Sequence, residues 1–183
     1  MSVTTPRDTT ADERDAALRE ILAASAARIE DDPDRAHARL RAGGAGGDGL
    51  RAEIRVGRHT VVVDEPPALG GEGAAPNPVE TALAALLSCQ VVTYRIWSAK
   101  LGIPLDDVRI DVEGDLDLRG FFGLDSAIRP GFAEVRVVVT LDGPATPEQY
   151  RELAAAVDEH CPVLDVFRNA TPVSTRVVTG EAG

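Results

Sequence analysis

GAAPNPVETALAALLSCQVVTYRIWSAK, residues 73–100, opens on a helix-start signal and then turns apolar. Asn77 suits the N-cap, and Pro78 suits the first helical position, where no N–H is needed. Glu80 stands at the third position, so Asn77 and Glu80 can each reach the other's backbone N–H as a capping box. Ala82, Leu83, Ala84, Ala85, Leu86, Leu87, Val91 and Val92 follow on nearly every side. A helix apolar all round is expected to be buried all round. Ser88, Gln90 and Thr93 interrupt it, and it is too short to span a bilayer. Near its middle lies Cys89, one of two cysteines. Gly102 and Pro104 predict the stop.

On the N-terminal side, residues 1–10 read as disordered, and Ala11 to about Glu30 carries Ala17, Leu18, Ile21, Leu22 and Ile29 near a 3.6 period. Asp31-Asp32-Pro33 stops that helix, a short helical piece is expected over 34–41, and Gly43–Gly49 reads as a flexible break. Residues 1–49 are therefore expected to form an appended helical arm and linker, and residues 50–183 the main domain. Leu50–Val56 and His59–Asp64 alternate around Gly57-Arg58, the pattern of a β-hairpin.

On the C-terminal side, 105–118 predicts a strand with a bulge at Gly114, and 119–130 a loop holding Phe121 and Phe122. Residues 132–141 predict another strand, rich in β-branched residues. Thr146-Pro147-Glu148-Gln149 repeats the capped helix start, and Tyr150, Leu153, Ala154, Val157 and Cys161 share one face of the helix that follows. Pro162 ends it, Val163–Asn169 allows one or two further turns, and Val173–Thr179 reads as a last strand. Strands in adjacent pairs between helices indicate an α+β fold with antiparallel pairing. The central helix is more apolar than one sheet can bury, which hints at an oligomer sharing a core.

A net charge of −11 argues against nucleic acid or an anionic membrane as partner. Two cysteines do not make a secreted disulfide framework, and MSVTTPRDTTADERD has neither the basic nor the apolar region of a signal peptide. A cytoplasmic, reducing location follows as the expectation. There a cysteine pair reads as inert core, metal ligands or redox chemistry. His37, His59 and His160 form no spaced set with the cysteines, so no metal and no bound cofactor is expected. On local physics Cys161, just before Pro162 at the start of a turn, is the better-placed thiolate, and Cys89 would need a cation from elsewhere. Glu80 lies nine residues before Cys89, on the opposite helix face and about 13 Å along the axis at ~1.5 Å per residue. If these two meet, a second subunit supplies one of them.

HTVVVDEPPALGG, PNPVETALAALLSCQ and HCPV together resemble the OsmC/Ohr superfamily over about residues 50–179. The resemblance implies an intertwined homodimer, with antiparallel sheets wrapped around two central helices and active sites at the seam. It further implies a thiol peroxidase reducing organic hydroperoxides, with Cys89 as peroxidatic and Cys161 as resolving cysteine. An external dithiol would reduce the resulting Cys89–Cys161 disulfide. It places an arginine from the N-terminal hairpin at the thiolate, Arg51 first and Arg55 in reserve, and a carboxylate holding it. The usual glutamate after Asn-Pro is replaced by Val79, with Glu80 one position later. Two other functions fit the same pattern: a non-catalytic binding protein for an apolar small molecule, its pocket lined by Trp97, Phe121 and Phe122, and a thiol redox sensor.

Overall fold

The computed structural model describes residues 10–179. The disorder expected over 1–10 lies outside the described residues except for Thr10. That residue caps the first helix, α1 (Ala11–Asp31), in a reciprocal box with Glu13. The short helix expected next is only a 3₁₀ turn, Pro33–Ala36.

Gly43–Gly49 is not a free linker. Ala42–Gly46 forms β1, antiparallel to β2 (Ala52–Val56), which pairs in turn with β3 (His59–Val63). Backbone hydrogen bonds hold such a strand without help from side chains. Gly44 lies so close to β2 that a Cβ would sit 2.6 Å from the Glu53 carbonyl oxygen. The β2–β3 hairpin turns at Gly57, with φ +60°, as its sequence predicts. Cross-strand register puts Ala52, Ile54, Val56, Val61 and Val63 on one face and Glu53, Arg55 and Thr60 on the other. This ribbon makes no extended contact with the helices or with the second sheet.

Asp64 ends β3 and organises the loop that delivers the central helix. Its buried carboxylate accepts from the backbone N–H of Glu65, Glu72 and Ala74 at 2.9, 3.1 and 3.0 Å. The Ala74 bond leads in holding its pKa below the usual carboxylate value. Gly71 is needed here, since a Cβ would lie 1.8 Å from the Glu65 carbonyl oxygen.

α2 (Pro78–Leu101) begins with the anticipated capping box and ends at Gly102 in the left-handed conformation. It is not buried all round. Leu86, Gln90, Thr93, Tyr94, Ser98 and Ala99 are buried, whereas Ala84, Ala85, Ser88 and Val92 are exposed, Val92 by 56 %. β4 (Asp107–Asp115) pairs with β5 (Glu134–Asp142) in an unbroken antiparallel register. The bulge expected at Gly114 is absent. That glycine pairs with Val135, and a Cβ there would meet the Phe132 ring at 2.7 Å. Between the strands lies a one-turn helix, α3 (Leu118–Phe121).

α4 (Pro147–His160), capped by Thr146 and Gln149, and α5 (Pro162–Arg168) close the core. Leu86, Tyr94, Ile103, Leu105, Val108, Ile110, Leu153, Val157, Cys161 and Leu164 form that core between α2, α4, α5 and one face of β4–β5. The other face is charged, with Arg136 bonded to Glu113, Asp115 and Glu134. α1 docks on α2, and Arg14 donates to the Leu105 carbonyl at 2.8 Å, as does Arg95. The last strand expected from the sequence does not form. Val173, Val177 and Val178 are 87 %, 82 % and 75 % exposed, on a segment that joins no sheet. Among the described residues no helix is long and apolar enough to cross a membrane.

Candidate active site

Two turns of chain bring the cysteines together. Cys89 lies mid-helix on α2, half-buried against the core. Cys161 is the joint between α4 and α5, serving as C-cap of one and N-cap of the other. Its N–H donates to the Val157 carbonyl at 2.9 Å, and its carbonyl accepts from the Asp165 N–H at 3.0 Å. Pro162 produces this joint. It has no N–H for an α-helical bond and disfavours helical backbone at residue 161. Cys161 thus has φ −79° and ψ 110°, which turns the chain and leaves the side chain pointing into the core.

Cys161 and Cys89 lie near each other at the edge of the same core. Both are free thiols. Burial, with only 2 % of Cys161 exposed, leads in pushing its pKa up, and the neighbouring Cys89 pushes the same way. The Leu164 N–H and the Thr93 hydroxyl pull it down. The sequence had favoured Cys161 as the readier thiolate, and that expectation is reversed. The N–H groups at the start of α5 are present, but the apolar core around the sulfur outweighs them.

Thr93 was legible only as a polar interruption of the apolar run. Its buried hydroxyl donates to the Cys89 carbonyl at 2.8 Å. Tyr94 is also buried, and its pKa is pushed up to about 12, by desolvation first and then by Asp158 and Cys161. Gln90 is buried as well, at 2 % exposure.

Arg51 and Glu80 are not brought to the sulfurs within one chain. Arg51 pairs with Glu53 at 3.1 Å at the start of the ribbon, and Arg55 stands exposed on β2. Glu80 accepts from the Asn77 N–H at 2.8 Å, so it is occupied in the capping box. Among the described residues no arginine bonds to either cysteine, and no cluster of His, Cys, Asp and Glu could hold a metal ion. Phe121 and Phe122 lie exposed against one another, with ring centroids 5.2 Å apart. Trp97 and His160 meet as tilted rings with centroids 4.1 Å apart. The expected aromatic pocket is not built from these three. A groove of about 740 Å³ runs instead between α2, β5 and α5, lined among others by Leu86, Gln90, Tyr94, Phe132 and Phe167.

An α+β fold that brings two thiols together between a central helix and a helix joint defines a dithiol protein. The chain belongs to the OsmC-like protein family, whose model matches residues 71–176. Solved structures share the fold. The OsmC-like protein of Mycoplasma pneumoniae superposes with a TM-score of 0.63 at 13% identity, covering 72% of this chain and 88% of that one. The organic hydroperoxide resistance protein OsmC of Legionella pneumophila gives 0.56 at 25% identity, covering 72% and 90%. An OsmC-like protein of Vibrio cholerae gives 0.57 at 15% identity, covering 71% and 94%. No curated relative matches the sequence. Family membership and the paired thiols together support a redox-active role.

Proposed function

We propose that this protein is a two-cysteine thiol peroxidase for organic hydroperoxides. The observation that carries the reading is the closeness of a half-buried Cys89 and a buried Cys161. Cys89 is the peroxidatic residue because its sulfur is the one a substrate can approach. As thiolate it attacks the outer oxygen of the hydroperoxide, an S–O bond forms, the O–O bond breaks, and the alkoxide leaves as alcohol after taking up a proton. The Cys161 thiolate then attacks the sulfenic sulfur, the S–S bond forms, and the hydroxyl leaves as water on protonation. An external dithiol restores both thiols, and no bound cofactor takes part.

A reactive thiolate at Cys89 calls for a cation beside it, and among the described residues of one chain no arginine bonds to it. In this reading a second copy supplies Arg51 from its ribbon, and the working unit is an intertwined homodimer. The exposed Val56 and Val61 of the ribbon, the exposed valines of 173–178 and the exposed flank of α2 all fit that arrangement. Glu80 contributes at most through its charge near the seam, since its oxygen is held by the Asn77 N–H. α1 and the turn after it form an arm without a chemical role. The cytoplasm is the compartment in which the dithiol cycle would run.

The test is a mass spectrum taken after one equivalent of cumene hydroperoxide. A Cys89–Cys161 disulfide in wild type, and a trappable sulfenic acid at Cys89 in Cys161→Ser, are expected. Two unmodified thiols would reject the reading.

One observation favours a second reading, that of a binding protein for an apolar small molecule. The groove of about 740 Å³ is lined by apolar Leu86, Phe132 and Phe167 together with the polar Gln90 and Tyr94. Tight binding of an apolar ligand, abolished by Gln90→Leu, with no loss of thiols to peroxide, would establish it over the first.

A further inference from the structure

His160, the last residue of α4, is exposed, yet its ring turns to α2. It meets Trp97 with ring centroids 4.1 Å apart and a tilt of 39°. Its Nδ1 lies 2.9 Å from the Ala156 carbonyl one turn back, and a carbonyl only accepts, so Nδ1 carries the proton. The indole is held in turn by Lys100, three residues on along α2, whose Nζ stands 3.9 Å from the ring centroid. Trp97 lies eight residues beyond Cys89, about 12 Å along the axis at ~1.5 Å per residue and within about 80° of the same helix face. His160 and Cys161, neighbours in sequence, therefore address α2 at two points, the ring at Trp97 and the sulfur near Cys89.

We propose that His160 is a positioning residue of the resolving step: clasped on Trp97, it fixes the α4–α5 joint along α2 and so holds the Cys161 sulfur in register with Cys89. This rests on the dithiol cycle proposed above. No bond to His160 or Trp97 is made or broken, and Cys161 attacks the Cys89 sulfenic acid as already written.

The joint needs such a fixture. The backbone hydrogen bonds of Cys161 run to Val157 and Asp165, within its own two helices, and do not tie the joint to α2. Val157 and Leu164 bury apolar side chains on either side of it, a contact that holds the elements together without direction. His160 adds direction. Its own helix sets the rotation of the ring through Ala156, and α2 sets its position through Trp97. A lysine would serve the C-terminus of α4 equally well as a cation, so the clasp depends on the ring and not on charge.

Two measurements on the full chain test the proposal. In single turnover with one equivalent of cumene hydroperoxide, His160→Ala should slow Cys89–Cys161 closure about fivefold, the worth of one aromatic contact, and leave sulfenic acid formation at Cys89 unchanged. His160→Phe, which keeps a ring against the indole, should restore closure. His160→Lys, which keeps only a cation at the helix end, should not. Unaltered closure in His160→Ala, both steps slowed in equal proportion, no rescue by phenylalanine, or equal rescue by lysine would overturn it.

The second measurement needs no peroxide. In glutathione buffers, the two thiols and one glutathione disulfide exchange for the Cys89–Cys161 disulfide and two reduced glutathiones, and mass spectrometry gives the equilibrium constant. Positioned sulfurs raise that constant as an effective concentration. His160→Ala should lower it about fivefold, and the effect should vanish in a Trp97→Leu background, where the ring has lost its partner. A constant unmoved by His160→Ala overturns the proposal even if the peroxidase reading stands. A lowered constant in a protein whose thiols ignore peroxide refutes the resolving role, and the peroxidase reading falls with it.

Discussion

The two sheets of this chain are treated in opposite ways. β4–β5 lays Val108 and Ile110 on a core closed by α2, α4 and α5, and sends its charges to solvent. The β1–β2–β3 ribbon has an apolar face of its own, but among the described residues no helix packs extensively against it. A small sheet without cover is marginal in water. The difference teaches where this protein is self-sufficient and where it is not. The thiol pair belongs to the first region, and Arg51, the arginine proposed for it, belongs to the second. Chemistry that needs both must join a finished half to an unfinished one.

Substitutions with very different costs follow from that contrast. Gly71→Ala or Leu153→Ala should be the most damaging. The first drives a methyl group into the Glu65 carbonyl. The second empties a site with 0 % exposure and is expected to cost about 2–5 kcal/mol, read as a fall in the urea midpoint. Should Leu153→Ala cost no more than a ribbon substitution, the division into closed and open regions fails.

Asn77→Ala removes one side of the capping box and should cost about 1 kcal/mol, whereas Glu80→Gln should cost a few tenths at most, because glutamine can still accept from the Asn77 N–H. A large loss of peroxidase rate in Glu80→Gln, with stability unchanged, would show that the charge itself acts at the seam.

Acid should loosen the hinge between the two regions before it touches the core. Asp64 has a depressed pKa in the fold, so its stabilisation is complete above the unfolded value of about 3.9 and is lost as pH falls through the lower folded value. Hydrogen exchange at Glu72 and Ala74 should rise in that window, and Asp64→Asn should bring the rise to neutral pH. Protection that stays flat through the window would remove the carboxylate as the organiser of this loop.

Val61→Asp, on the ribbon's apolar face, should change the stability of the single chain least, within about 0.5 kcal/mol, yet dissociate the proposed dimer on a sizing column. An unchanged elution volume would send the search for the second copy to another face.

The sequence was most readable where one local interaction determines the outcome. The boxes at Asn77–Glu80 and Thr146–Gln149, the Gly57 turn and the Gly102 stop all depend on neighbours a few residues away. It misled where distant chain decides. β1 looked like a linker because glycines carry no strand pattern, although the β2 backbone has room for nothing larger at Gly44. Gly114 looked like a bulge because the Phe132 ring it accommodates is eighteen residues away. Val173–Thr179 has the composition of a strand but no partner in its own chain. At the site, the cysteine pair was readable from its motifs. The depth of Cys161 was not, since it depends on how α4 and α5 meet α2.

Trp97 is the only tryptophan of the chain. It is clasped between the imidazole of His160 at 4.1 Å and the ammonium of Lys100 at 3.9 Å. His160 immediately precedes Cys161, so any shift of the joint that carries this sulfur also moves an aromatic quencher across an indole. The molecule therefore contains its own optical gauge, and ultraviolet emission can follow the helix joint in real time without a label.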